Sequence, residues 1–208
     1  TSTSGAAGGV HVRLSPYDQR VVDIRFFDKD GQNLGKAKER NIEYIFFRED
    51  FRRVAFDQLG KIDEVSGQSE QRYSTGFLKA LNREAIRAAQ FNLVVDYANA
   101  STAHILPKLF DEMGCRVTAL NERMDENKMS VTPDEFQRGI DQLATITTAL
   151  KADFGLRLDV AGERVWFVDR LGNRLSGTAI AAALAELMLR ASDHSQPRTL
   201  AVMINQSQ

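Results

Sequence analysis

Apolar positions along this chain follow two periods that alternate with each other. Short apolar runs at 91–97, 116–120, 154–159 and 164–168 have the length and β-branched content of strands. Between and around them, apolar residues spaced three and four apart predict helices near 73–89 and over 102–113, 133–151 and 178–191. Thr132-Pro133-Asp134-Glu135 starts one of these, with threonine at the cap, proline in the first turn and acids facing the helix dipole. Ser176 or Gly177 opens the Ala-rich last helix. Strands interleaved with helices predict the α/β class, a layered domain on a mostly parallel, mixed sheet.

The first third of the chain is different. Two strands near 9–14 and 21–28, joined by a loop holding Ser15, precede one helix from about Ala37 to Leu59, with Ile42, Ile45, Phe46, Phe51 and Phe56 available for burial. Two strands and one helix make a poor domain, so 1–62 reads as the C-terminal part of a preceding α/β domain. The polar, aperiodic stretch 63–70 reads as a linker, 71–195 as the layered domain, and 196–208 as the start of a further strand, Thr199 to Asn205.

Composition excludes some partners. Across 208 residues, 27 Lys plus Arg stand against 28 Asp plus Glu, a net charge of −1 without a block of like charge. Neither a nucleic acid nor an anionic membrane is therefore an expected partner, and any anion site must be local. A single cysteine, Cys115, cannot form an intrachain disulfide and begins an apolar strand, where a buried, inert thiol is expected. His11, His104 and His194 fall on separate elements without ligand spacing, which argues against zinc. With no apolar run near the ~18 residues of a membrane span and no signal-peptide pattern in Thr1–Gly9, a cytoplasmic location is expected.

Candidate chemistry concentrates between the strands at 154–159 and 164–168. Asp159 and Glu163 flank Val160-Ala161-Gly162 and are followed at once by Arg164, half of a magnesium and phosphate site by residue type. A full site needs another oxygen ligand. Both acids also fit a solvent-facing hairpin, with Arg164 paired to one of them, and Trp166 and Phe167 fit strand positions better than a sugar platform.

Asp159-Val160-Ala161-Gly162-Glu163-Arg164 resembles the metal loop of the α-D-phosphohexomutases (phosphomannomutase and phosphoglucomutase), Asp-Gly-Asp-Ala-Asp-Arg. Gly9-Val10-His11-Val12-Arg13-Leu14-Ser15-Pro16-Tyr17-Asp18 can be laid without gaps on that family's phosphoserine segment, Gly-Ile-Met-Ile-Thr-Ala-Ser-His-Asn-Pro, and places Ser15 on the phosphate-carrying serine. Phe91 to Asn99 is similar to the opening strand of the family's second domain, and Ile105 to Gly114 to the helix after it. The three segments occur in the family's order. The resemblance implies Ser15 as phosphoryl carrier, Arg164 as a catalytic cation, Asp159 and Glu163 as Mg²⁺ ligands and a sugar phosphate as ligand. It also implies remaining domains of a longer chain, since the family is built of four domains around a cleft and only two of the four cleft loops have counterparts here.

The departures fall on the chemistry. The second metal acid is Ala161, the third is lengthened to Glu163, and Arg13-Leu14 and Pro16-Tyr17 replace the residues beside the serine. Ser15 before a proline also fits an ordinary turn. Errors of about 1 Å at a reacting centre can cost ~10²-fold in rate, so the first expectation is a degenerate phosphohexomutase-like module with little or no mutase activity, in a binding or regulatory role. The forms around Ser15 and Asp28 resemble fusions to a sugar nucleotidyltransferase of the mannose-1-phosphate guanylyltransferase type. Two alternatives stay open: an active phosphomannomutase or phosphoglucomutase using Ser15 and Mg²⁺ at Asp159 and Glu163, and a purely structural α/β domain.

Overall fold

A computed structural model describes residues 5–190 apart from Pro16, Tyr17 and Gln19. The strand expected at 199–205 and His194 lie outside the described residues. Strands β1 (Gly8–Leu14) and β2 (Val22–Asp28) form an antiparallel pair, with Arg13 opposite Asp23 and His11 opposite Arg25. Helix α1 (Lys36–Phe47) follows, then α2 (Ser66–Lys79), α3 (Arg83–Ala89), β3 (Asn92–Asp96), α4 (Leu106–Glu112), β4 (Arg116–Leu120), α5 (Glu126–Met129), α6 (Pro133–Ala149), β5 (Phe154–Leu158), β6 (Val165–Asp169), β7 (Arg174–Leu175) and α7 (Gly177–Arg190).

The five strands β3 to β7 form one mixed sheet in the order β4-β3-β5-β6-β7. β4, β3 and β5 are parallel, whereas β6 and β7 run antiparallel to their neighbours. Parallel neighbours need a long crossover, and helices supply it between β3 and β4 and between β4 and β5; the six residues of loop 159–164 are too few, so β6 returns as a hairpin partner of β5. Central strand β3 is buried on both faces. Leu93, Val95 and Tyr97 pack with Leu156 and the flank of α4, and Val94 packs on the other face with Leu143 of α6 and Val168. An all-apolar Leu-Val-Val run is what a strand covered on both sides requires. Leu78, Leu109 and Met113 form a third cluster that ties α2 to α4. Cys115 packs half-buried beside this core, and burial pushes its thiol pKa up, as an inert cysteine requires.

Thr132 caps α6 through a complete capping box, its hydroxyl accepting from the Glu135 backbone N–H while the Glu135 carboxylate accepts from the Thr132 backbone N–H. Thr132→Ala is expected to lower stability by about 1 kcal/mol, measured as a shift in urea midpoint at unchanged slope. The hydroxyl of Ser176 likewise accepts from the Ala179 N–H at the start of α7.

Three expected elements are corrected. The helix expected over 37–59 stops at Phe47: Glu49 adopts a left-handed conformation (φ 55°), and the N–H groups of Glu49 and Asp50 close back on the carbonyls of Phe46 and Ile45. Phe46, Phe51 and Phe56, expected to be available for burial, stay exposed. The helix expected near 73–89 is two helices, broken at Ala80–Asn82, where the Asn82 side chain caps α3. The polar stretch 63–70, expected to be a linker, turns helical at Ser66, the first residue of α2.

Candidate functional site

Loop 159–164 is shaped by Asp159. Its Oδ1 accepts from the backbone N–H of Glu163 at 2.7 Å and of Arg164 at 3.0 Å, and its N–H donates to the Arg164 carbonyl at 3.1 Å. One side-chain oxygen of the first expected metal ligand is therefore engaged in holding the turn that joins β5 to β6. Glu163 faces the other way, toward the β1–β2 hairpin. One of its carboxylate oxygens accepts from Arg25 Nη1, and the other lies 3.7 Å from Arg13 Nη1. Arg13 in turn donates through Nε to Asp23 across the hairpin, at 3.4 Å. Strand alternation places Arg13, Asp23 and Arg25 on one hairpin face, while Val10, Val12, Val22 and Ile24 are exposed on the opposite face.

These groups line a cavity of about 600 Å³ whose remaining wall comes from the start of α6, from Lys128 and Met129 of α5, and from Arg157 and Trp166. Asp159, Glu163 and Arg164 all line it; Ser15 does not. Ser15 is buried, 8% exposed, with its N–H donating to the Val21 carbonyl and its own carbonyl accepting from the Ser130 hydroxyl at 2.6 Å. It thus borders the cavity through Ser130, whose neighbours Met129 and Val131 line it. Arg164 is exposed, and among the described residues its guanidinium has no ion-pair partner.

Behind the cavity lies a buried ion pair that residue spacing does not signal. Arg157 Nη1 donates to Asp96 Oδ2 at 2.7 Å, and Asp96 Oδ1 accepts from the Ala98 N–H and the Asn121 amide, both at 2.9 Å. The guanidinium lies 5.1 Å from the Phe136 ring centre, and Phe136 meets Trp166 edge-on at 4.8 Å. Trp166 is thus a wall residue packed on α6, supporting the arginine that reaches the cavity. A Cβ at Gly139 would fall 1.9 Å from Arg157 Nη1, so the arginine threads past α6 where a side chain is missing. Ala98, Asn99 and Asn121 take left-handed conformations at the C-terminal ends of β3 and β4, the edge of a parallel sheet at which α/β folds place ligands. Tyr97, beside them, is fully buried, and burial followed by the nearby Glu122 charge pushes its pKa up to about 12.

The sequence expectation names the acidic loop and misses its partners on the hairpin. Arg13 and Arg25 could have been found by folding 8–28 into a hairpin, since period-two alternation puts both beside Asp23.

Residues 71–172 match the phosphoglucomutase/phosphomannomutase, alpha/beta/alpha domain II, and the matched stretch contains β3 to β6 together with the whole acidic loop. Over these residues the chain is similar to the second domain of the phosphoglucomutases and phosphomannomutases. Beyond that domain, a phosphoglucomutase/phosphomannomutase of Thermococcus kodakarensis is 28% identical over 91% of this chain and 41% of its own length. A phosphoglucosamine mutase of Hydrogenovibrio crunogenus is 31% identical over 89% of this chain and 40% of its own length. The chain thus spans about two fifths of the length of these phosphohexomutase relatives. A structure of a putative phosphomannomutase from Thermus thermophilus superposes with a TM-score of 0.73, at 17% identity, over 91% of this chain and 42% of that one, which establishes the shared fold. Among the described residues no helix is long and apolar enough to cross a membrane.

The phosphohexomutase resemblance implies magnesium at the acidic loop, and the donor set does not fit it. Mg²⁺ takes about six oxygens in near-octahedral geometry. Among the described residues no group of three or more His, Cys, Asp and Glu could hold a metal ion. Ala161 offers no ligand, Asp159 Oδ1 is engaged by two N–H groups, and both oxygens of Glu163 face guanidinium groups.

Proposed function

We propose that the chain is a phosphohexomutase-derived module that binds a sugar phosphate or regulates the domains joined to it, with little or no mutase turnover. The observation that carries this reading is the state of the acidic loop: it keeps the family's place in the fold while its acids serve the turn and the hairpin. Phosphoryl transfer depends on positioning and on cations that neutralise developing charge, and the fit of this loop to magnesium is poor.

Binding is supported by a cavity of about 600 Å³ with the Arg164 guanidinium at its wall, without an ion-pair partner among the described residues. Named relatives include phosphoglucosamine mutases as well as phosphoglucomutase/phosphomannomutase, so hexosamine phosphates belong among the ligands to test. The wider setting in this proposal is a sugar-nucleotide pathway protein with a mannose-1-phosphate guanylyltransferase-type domain in the same gene product. The sequence forms around Ser15 and Asp28 support that setting.

The test is a melting-temperature series with glucose-1-phosphate, mannose-1-phosphate and glucosamine-1-phosphate in metal-free buffer. A ligand at about 100 times its Kd adds ~2.7 kcal/mol to stability, and the expected result is a saturable upward shift that is reduced in Arg164→Ala. No shift with any of the three would overturn the binding role and leave a structural domain.

A further inference from the structure

The acidic loop is built to hold a cation, and the structure places one there. Glu163 meets Arg25 Nη1 with one oxygen, and Arg13 Nη1 stands 3.7 Å from the other. Arg25 and Glu163 are 138 residues apart in sequence, so this contact joins hairpin β1–β2 to the sheet domain. Around the loop, the side chains of Val160 and Ala161 carry no oxygen and Gly162 has none to offer. With Asp159 Oδ1 taken up by the turn, Asp159 Oδ2 is, among the described residues, the loop carboxylate oxygen left without a hydrogen bond or ion pair. A divalent ion entering here would have to displace Arg25 and then sit among three positive side chains, Arg13, Arg25 and Arg164, that line the same cavity. Coulomb repulsion at such separations opposes that exchange.

We propose that the Arg25 guanidinium, backed by Arg13, replaces the divalent cation at loop 159–164, converting a metal site into a metal-independent dock for the hairpin. The planar guanidinium suits this role, because it is permanently charged and is more weakly hydrated than an ammonium, so it stays on a carboxylate at a partly wet interface. A second, polar tie runs from the Ser130 hydroxyl to the Ser15 carbonyl. The hairpin face that carries Arg13, Asp23 and Arg25 is thereby committed to the domain. This inference is independent of sugar-phosphate binding, and its test contains no sugar.

The 208-residue chain is titrated with magnesium chloride by calorimetry and by thermal melting, against sodium chloride of equal ionic strength. The expected result is no saturable heat and no melting shift beyond the salt control. In parallel, amide hydrogen exchange is followed in Glu163→Gln. Exchange in Gly8–Leu14 and Val22–Asp28 is expected to speed up several-fold while β3, β5 and β6 keep their protection, which also certifies that the domain is folded. The charge-swapped pair Arg25→Glu with Glu163→Arg should restore protection of the hairpin. Saturable magnesium binding that Glu163→Gln abolishes would overturn the proposal, as would a hairpin whose exchange is the same in Glu163→Gln and in the original chain.

Discussion

Asp96→Ala is expected to lower stability by about 3–5 kcal/mol, the usual loss when one partner of a buried ion pair is removed and the other is left charged. Asp96 is 1% exposed and Arg157 6%, so both charges are withdrawn from bulk water and depend on each other for pairing. Asp96 also accepts from the Ala98 N–H and the Asn121 side chain, which fixes the left-handed turns at the ends of β3 and β4. Its loss leaves a stranded guanidinium and two orphaned donors at once. The decisive comparison is the double variant Asp96→Ala with Arg157→Met, which removes the charge together with its partner and keeps most of the volume against Phe136. Urea unfolding should place the double variant well above the single one. If Asp96→Ala alone costs less than about 1 kcal/mol, the ion pair does not organise this edge of the sheet.

Gly155→Ala is expected to cost about 1–3 kcal/mol by overpacking. Gly155 sits in β5 between β3 and β6, directly under α6. A Cβ there would lie 2.4 Å from Thr147 Oγ1 and 3.1 Å from two carbons of Leu143. Thr147 cannot easily yield, because it is fully buried and its hydroxyl donates to the Leu143 carbonyl at 2.7 Å. Gly177→Ala provides the control: at the first residue of α7 an added Cβ meets nothing within 4 Å, so that variant is expected to be neutral or slightly stabilising. Thermal melting of the two variants side by side checks the contrast; equal melting temperatures would show that α6 can lift from β5 without loss.

The layered domain was legible wherever pattern and punctuation agree. β4 falls on the expected 116–120, β5 and β6 lie within a residue of expectation, and α6 begins at Pro133 because Thr132 and Glu135 form the box that their spacing announces. Helix ends were less legible, for a physical reason. α1, α3 and α6 are followed by left-handed Glu49, Gln90 and Lys151, where the residue that normally advertises such a turn, glycine, is missing. α1 was extended over Phe51 and Phe56 because aromatic residues at helical spacing read as a buried stripe, yet both are exposed. β7, two residues long, is below the length at which period two can be seen.

The acidic loop was visible as a string of residue types, and so was the replacement of its central acid by Ala161. Its electrostatic partners were not. Arg25 meets Glu163 through the pairing of two distant elements, and no local pattern around 159–164 encodes which cation will arrive. Arg157 was hidden in the same way: inside an apolar strand it reads as an interruption, and its partner Asp96 lies on a different strand.

The proposed absence of mutase turnover is tested most directly by a coupled mutase assay on the full-length gene product. Mannose-1-phosphate and glucose-1-phosphate are supplied with magnesium and a bisphosphate activator, and Ser15→Ala serves as the control. The account predicts no conversion above background in either protein, whatever the sugar. Conversion by the original protein that disappears in Ser15→Ala would contradict it, making Ser15 a phosphoryl carrier and the acidic loop a working cation site.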